Sequence, residues 1–93
     1  MLLSKLDDAR LVLEGELDIY AVRDLFAVVT ARATPPTQVD LTNVKAIDAA
    51  GVQLLLWLEQ HVQQAGHRLT VRGAGGSVRQ ALDFLRLSAR WAS

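Results

Sequence analysis

Residues Val39 to Gln64, VDLTNVKAIDAAGVQLLLWLEQHVQQ, read as a buried strand, a short apolar crossing and a helix that begins abruptly at Asp48. Val39 and Leu41 alternate with polar neighbours, and Val44 and Ile47 keep the crossing against the core. Asp48 is a good N-cap, because its carboxylate can accept from the free N–H groups of a first helical turn, where the helix dipole favours negative charge. Ala49 and Ala50 follow, small and helix-favouring. Gly51 removes a side chain where neighbouring backbone can come close, at a cost in helix propensity. An acidic cap followed by three tiny residues leaves a low, smooth helix start, and the function is placed there.

The helix runs from Ala49 to about Ala65, with Gly66 ending it at C′. Its core stripe is Leu54 or Leu55, then Leu58, Val62 and Ala65, and the run Leu54–Leu58 is too wide for one stripe. Before it, Leu2, Leu3 and Leu6 form a short edge strand that Asp7-Asp8 interrupts. Arg10–Leu17 forms a second strand with Leu11 and Leu13 pointing one way and Gly15 at a bulge or turn. Asp18 caps a helix whose buried positions are Val22, Leu25, Phe26 and Val29, and Pro35-Pro36 prevents it from continuing. After Gly66, His67–Arg72 is a strand with Leu69 and Val71 inside. Ser77 and Gln80 match a capping box for a last helix, with Val78, Ala81, Leu82 and Leu85 on its inner face. Trp91 in the tail either folds back or lies open. Alternating strands and helices call for an α/β fold, with strands joined through helices running mostly parallel.

Composition narrows the function. Ninety-three residues are expected to form one domain, and 51% hydrophobic with 22% charged residues is the balance of a packed chain. Ten basic and ten acidic residues cancel, so no field gathers nucleic acid or an anionic membrane, and association with a protein or a second copy is favoured instead. The absence of cysteine removes disulfides, thiolate metal sites and cysteine nucleophiles. No apolar run is long enough for membrane insertion and no signal pattern opens the chain, so a cytoplasmic place is expected.

Chemistry-bearing motifs are few. His61 and His67 sit in no nucleophile or metal pattern and read as solvated surface residues. Asp40 and Asp48, at opposite ends of the crossing, could approach as a carboxylate pair, but capping is the better use of both. Gly73-Ala74-Gly75-Gly76 lies between strand and helix as a phosphate loop would, yet fits neither a Walker nor a dinucleotide fingerprint. No cofactor and no enzymatic activity is expected. Trp57 shares a face with Gln53 and Gln60. It either covers a sheet edge or anchors an interface, where tryptophan is enriched.

The segments LEGELDIYAV, VDLTNVKAIDAAGVQLLL, RLTVRG and SVRQALDFLRL, together spanning about Leu11 to Leu87, resemble a STAS domain, the module of anti-sigma-factor antagonists. The resemblance implies a four-stranded mixed sheet with helices packed against it, and action by docking on a partner protein. It also implies a phosphorylatable serine or threonine after the capping aspartate. Here that position is Ala49, followed by Ala50, so the phosphorylation switch is not expected. The run IYAV with AGVQLLL is similar to small STAS proteins of chemotaxis-type signalling systems. The apolar helix is also similar to the STAS subunit of a bacterial lipid-transport ATP-binding-cassette complex. The expected partner surface is Asp48, Ala49, Ala50, Gly51, Val52, Gln53, Leu56 and Trp57, extended to the loop at Gly15–Asp18. The expected partner is an anti-sigma factor, a kinase or a chemotaxis-type component. A nucleotide or lipid at the Gly73–Ser77 loop is the alternative from another class.

Overall fold

In the computed structural model, which describes residues 2–87, 90 and 91, a tight turn at Asp8-Ala9 folds strand β1 (Leu2–Asp7) back on β2 (Arg10–Leu17). Asp8 has φ 51°, a left-handed conformation that aspartate tolerates better than most side chains. Helix α1 (Ile19–Thr30) then crosses to β3 (Gln38–Ile47), and α2 (Ala49–Gln64) crosses to β4 (Thr70–Arg72). The last helix is α3 (Gly76–Phe84). The sheet order is β1-β2-β3-β4, antiparallel in the first pair and parallel in the other two. This is the four-stranded mixed sheet that the family resemblance implies.

One face of the sheet is buried. Leu11, Val39 and Val71 lie opposite one another in register, and all three are core residues. One residue along, Lys5, Val12, Asp40 and Arg72 form a row on the other face, half-buried or exposed. The buried face meets Leu25 and Val29 of α1, Leu55, Leu58 and Val62 of α2, and Val78 and Leu82 of α3 in one cluster.

The expected crossing between Leu41 and Asp48 is strand. β3 gains one residue on β2 between Asp40 and Asn43, and another between Val44 and Ala46. Each extra residue is a bulge, and each lengthens the inward repeat from two residues to three. That is why Val39, Leu41, Val44 and Ile47 can all reach inward along one strand. Gly15, with φ 110°, pairs with Val44 between the two bulges.

Other expectations need correction. Phe26 is exposed because Ala21, not Val22, completes the buried stripe with Leu25 and Val29. Ala65 and Leu85 are exposed, since each stands at the C-cap of its helix, where the chain turns away from the core. Strand β4 is only Thr70–Arg72. Before it, Gly66 (φ 84°) closes α2 by donating to Gln63 O, while the His67 N–H donates to Val62 O, the paired bonds of a Schellman end. The capping box does not form: Gly75 is the N-cap, without a side-chain bond, and the Ser77 hydroxyl donates to Lys45 O at 3.0 Å. In the tail, residues 88, 89, 92 and 93 lie outside the described residues.

Trp91 folds back and is 2% exposed. Its indole N–H donates to Glu59 Oε2 at 2.7 Å, and Arg90 Nε donates to Oε1 of the same carboxylate at 2.7 Å. The Arg90 guanidinium and the indole hold the Glu59 carboxyl below the usual range, and the hydrogen bond from Arg90 is the leading cause. A lowered native pKa gives stability that is complete above the unfolded value of about 4.3 and is lost as pH falls through the native value. Thermal melts between pH 7 and pH 3 are therefore expected to lose less stability in Glu59→Gln than in the parent, and equal losses would refute this.

Candidate functional site

The starts of α1 and α2 lie side by side, joined by one aspartate. Asp48 Oδ1 accepts from Gly51 N–H at 2.9 Å, the N-cap bond that was expected. Asp48 Oδ2 accepts from Ile19 N–H of α1 at 3.3 Å, and Asp48 N–H donates to Leu17 O. Asp18 caps α1 by accepting from Tyr20 and Ala21 N–H at 3.1 and 3.0 Å. Both carboxylates are thus occupied by backbone donors at helix starts, satisfying N–H groups that have no partner within the helix.

Asp48 and Ala49 are exposed and Ala50 is half-buried, so the tip is open to solvent. Gly51 is buried and lies beneath the exposed tip, which corrects the expected surface there, while Val52, also buried, borders a groove beside the tip. Gly51 faces inward: a Cβ there would overlap Leu17 O and come within 2.8 Å of Ile47 Cγ1. Val52, one turn after Asp48, points to the flank facing α3.

Further along α2, Gln53 is exposed, while Leu56 and Trp57 are half-buried against the core cluster. Trp57 covers the seam between the first two helices rather than a sheet edge. Its ring lies 4.7 Å from Phe26 of α1 and stacks at 5.2 Å on His61, one turn on. His61 is therefore a packed residue, not the solvated one expected; His67 is exposed.

The sequence did not reveal a groove beside the tip. Ile47, Ala49 and Val52 form one wall, and Ala81 and Phe84 of α3 with Leu85 at its C-cap form the other, around a space of about 510 Å³. Phe84 is 85% exposed at its rim. The available signal was the run of apolar residues closing α3, more than one inward stripe can hold.

The alternative sites are weaker. Asp40 and Asp48 do not form a pair: they stand at opposite ends of an extended strand, on the order of 20 Å apart at strand rise. Asp40 accepts from Thr42 N–H at 2.9 Å and its hydroxyl at 2.5 Å. The hydroxyl bond is the main reason its carboxyl is held below the usual range, and a group held in that way is a poor proton acceptor near neutrality. At the glycine loop, a Cβ on Gly73 would lie 3.0 Å from Asp40 Oδ1, so a phosphate there would meet a carboxylate. Among the described residues no cluster of three metal-ligating side chains occurs, and no helix is long and apolar enough to cross a membrane.

A mixed sheet with one face covered by helices, and an acid-capped helix start open beside a groove, make up a small α/β module. A family model described as the Mlab STAS domain matches residues 2–89, and the chain belongs to the STAS domain family. Among solved structures, the unphosphorylated anti-sigma factor antagonist SpoIIAA is similar with a TM-score of 0.76 at 22% identity, over 98% of this chain and 84% of that one. An anti-sigma factor antagonist from Mycobacterium paratuberculosis gives 0.71 at 20% identity, over 99% and 82%. A sulfate transporter family protein from Wolinella succinogenes gives 0.72 at 17% identity, over 95% and 75%. These structural likenesses show the shared fold. No curated protein matches the sequence.

Proposed function

We propose that this chain is a non-enzymatic regulatory docking module that binds a signalling protein of the anti-sigma factor, kinase or chemotaxis-type class in the cytoplasm. Asp48, Ala49 and Ala50 form the landing point, the groove against α3 takes an apolar side chain of the partner, and Gln53, Leu56 and Trp57 flank the contact. The observation that carries this reading is the exposed, nearly side-chain-free helix start beside an apolar groove. Small residues allow close approach, and the groove supplies desolvated area, of the order of 1–3 kcal/mol for a well-buried anchor.

Neither Ala49 nor Ala50 carries a hydroxyl, so serine or threonine phosphorylation at this tip is chemically closed. Regulation then falls to the partner, or the complex is constitutive. Ala49→Glu places a charge where the partner lands while the dipole tolerates it in the first turn. Capture of the signalling partner is expected to fall by about tenfold or more, with the melting temperature of the free variant little changed. Capture as tight as that of the parent would remove the site.

A second reading is a subunit of a membrane transport complex, favoured by the STAS-fold likeness to a sulfate transporter family protein. Co-purification with a transport ATPase, instead of a signalling protein, would select it.

A further inference from the structure

The groove exists only while α3 keeps its distance from α2, and the contacts that set this distance lie elsewhere. Helix α3 rests chiefly on β3 through Val78 and Leu82. Its first turn is pinned by the bond from Ser77 to Lys45 O. Its last turn leads to Arg86, a non-glycine residue at φ 60°, where Arg86 N–H donates to Asp83 O and Leu87 N–H to Leu82 O. These are the paired bonds of a Schellman end, as at the close of α2, with a left-handed side-chain-bearing residue at C′.

What lies beyond it is the strap of Arg90 and Trp91. Trp91 N–H and Arg90 N–H donate to Leu87 O, which closes the strap on itself, and Val71 N–H donates to Trp91 O. The strap ends on Glu59, whose side chain is 8% exposed and accepts from both the guanidinium and the indole. Glu59 stands two turns after Val52 on the same stripe of α2, and Val52 lines the groove. One stripe of α2 therefore bears the groove wall at one end and the anchor of α3 at the other.

We infer that Glu59 is a positioning residue for the groove: through Arg90 and Trp91 it ties the C-terminal end of α3 to α2 and sets the separation of Ala49 and Val52 from Phe84 and Leu85. The geometry is independent of any partner, but its functional meaning rests on the reading of the groove as the docking surface. A buried carboxylate that loses its charge no longer holds the guanidinium fork, and an unpaired indole N–H is costly to bury. The strap then opens, the turn at Arg86 relaxes, and α3 is left with its sheet contacts alone.

Amide hydrogen exchange on the full chain tests this, because local opening and global unfolding separate residue by residue. In Glu59→Gln, the amides from Gln80 to Leu85 are expected to exchange at least about tenfold faster, while the α1 amides change far less. Val29→Ala, a cavity in α1, serves as the comparison that lowers stability without touching the strap. Acceleration of α3 only in step with α1, as in Val29→Ala, would overturn the inference. Trp91→Phe keeps a ring in the slot and removes only the N–H, so the same selective pattern at smaller amplitude is expected even where Glu59→Gln folds poorly. A uniform change there would likewise overturn it. If α3 loosens selectively while Ala49→Glu leaves partner capture intact, the strap stands and the docking reading fails.

Discussion

Gly51→Ala is expected to destabilise the protein by about 2–3 kcal/mol, although helix propensity by itself would make the change favourable by about 1 kcal/mol. The added methyl would overlap Leu17 O and lie within 2.9 Å of Ile47 Cγ1 and Leu17 Cγ. Leu17 is fully buried, and its carbonyl accepts from Asp48 N–H, so that carbonyl is fixed by the cap it supports. The methyl cannot be absorbed by rotating a side chain, because one of the clashing atoms is backbone. Either α2 lifts at its start or β2 shifts at its end. Both disturb Asp48, which also bonds Ile19 of the neighbouring helix. Urea denaturation gives the sign directly: a lower midpoint at unchanged slope is expected, and a raised midpoint would mean that the two elements are not in close contact.

That same glycine shows how far the sequence could be read. A glycine early in a helix, after an acidic cap, signals a close backbone approach, and the structure supplies it at Leu17. Caps were legible because they depend on residues a few positions apart: Asp18, Asp48 and Gly66 all act as expected. The crossing before Asp48 was not. Its inward residues are spaced by three because bulges interrupt the ladder with β2, and a bulge depends on the register of the partner strand, which no local pattern reports. Ser77 failed as a capping residue for a different reason. The N-cap is Gly75, two residues before it, so Ser77 stands inside the first turn and its hydroxyl donates to the distant Lys45 O.

For the candidate site, the open tip at Asp48 and Ala49 was legible, since small residues and a cap are local facts. The inward turn of Gly51, and the turn of Val52 toward the groove, were legible only in part, because helical phase fixes which residues share a stripe but not which stripe meets the sheet. The groove needed α3 placed beside α2, and that placement comes from the strand order. Trp57 carried a mixed signal. Its glutamine neighbours pointed to an exposed ring, but Phe26 from α1 and His61 from its own helix stack on it. The cover expected over a sheet edge lies instead over the seam between α1 and α2.

Trp91→Ala is expected to have the largest effect of any single truncation outside the central strands, about 3–5 kcal/mol. Two separate losses add. The first is the cavity left by a large ring that is 2% exposed within the core cluster. The second is a donor taken from Glu59, which then depends on Arg90, whose side chain is 54% exposed and free to hydrate. For a domain of this size such a loss corresponds to a fall of about 15–30 °C in melting temperature, enough to leave little native protein at 37 °C. Trp91→Phe separates the two terms: it fills most of the slot and lacks the N–H, so a fall of about 1–2 kcal/mol is expected. A melting temperature for Trp91→Ala within a few degrees of the parent would show that the ring is not seated in the core. Phe and Ala variants of equal stability would show that the indole bond to Glu59, rather than ring volume, accounts for the whole effect. The expected order, parent above Phe above Ala, requires both terms, and it makes the aromatic end of the chain as much a part of the core as the central helix it binds.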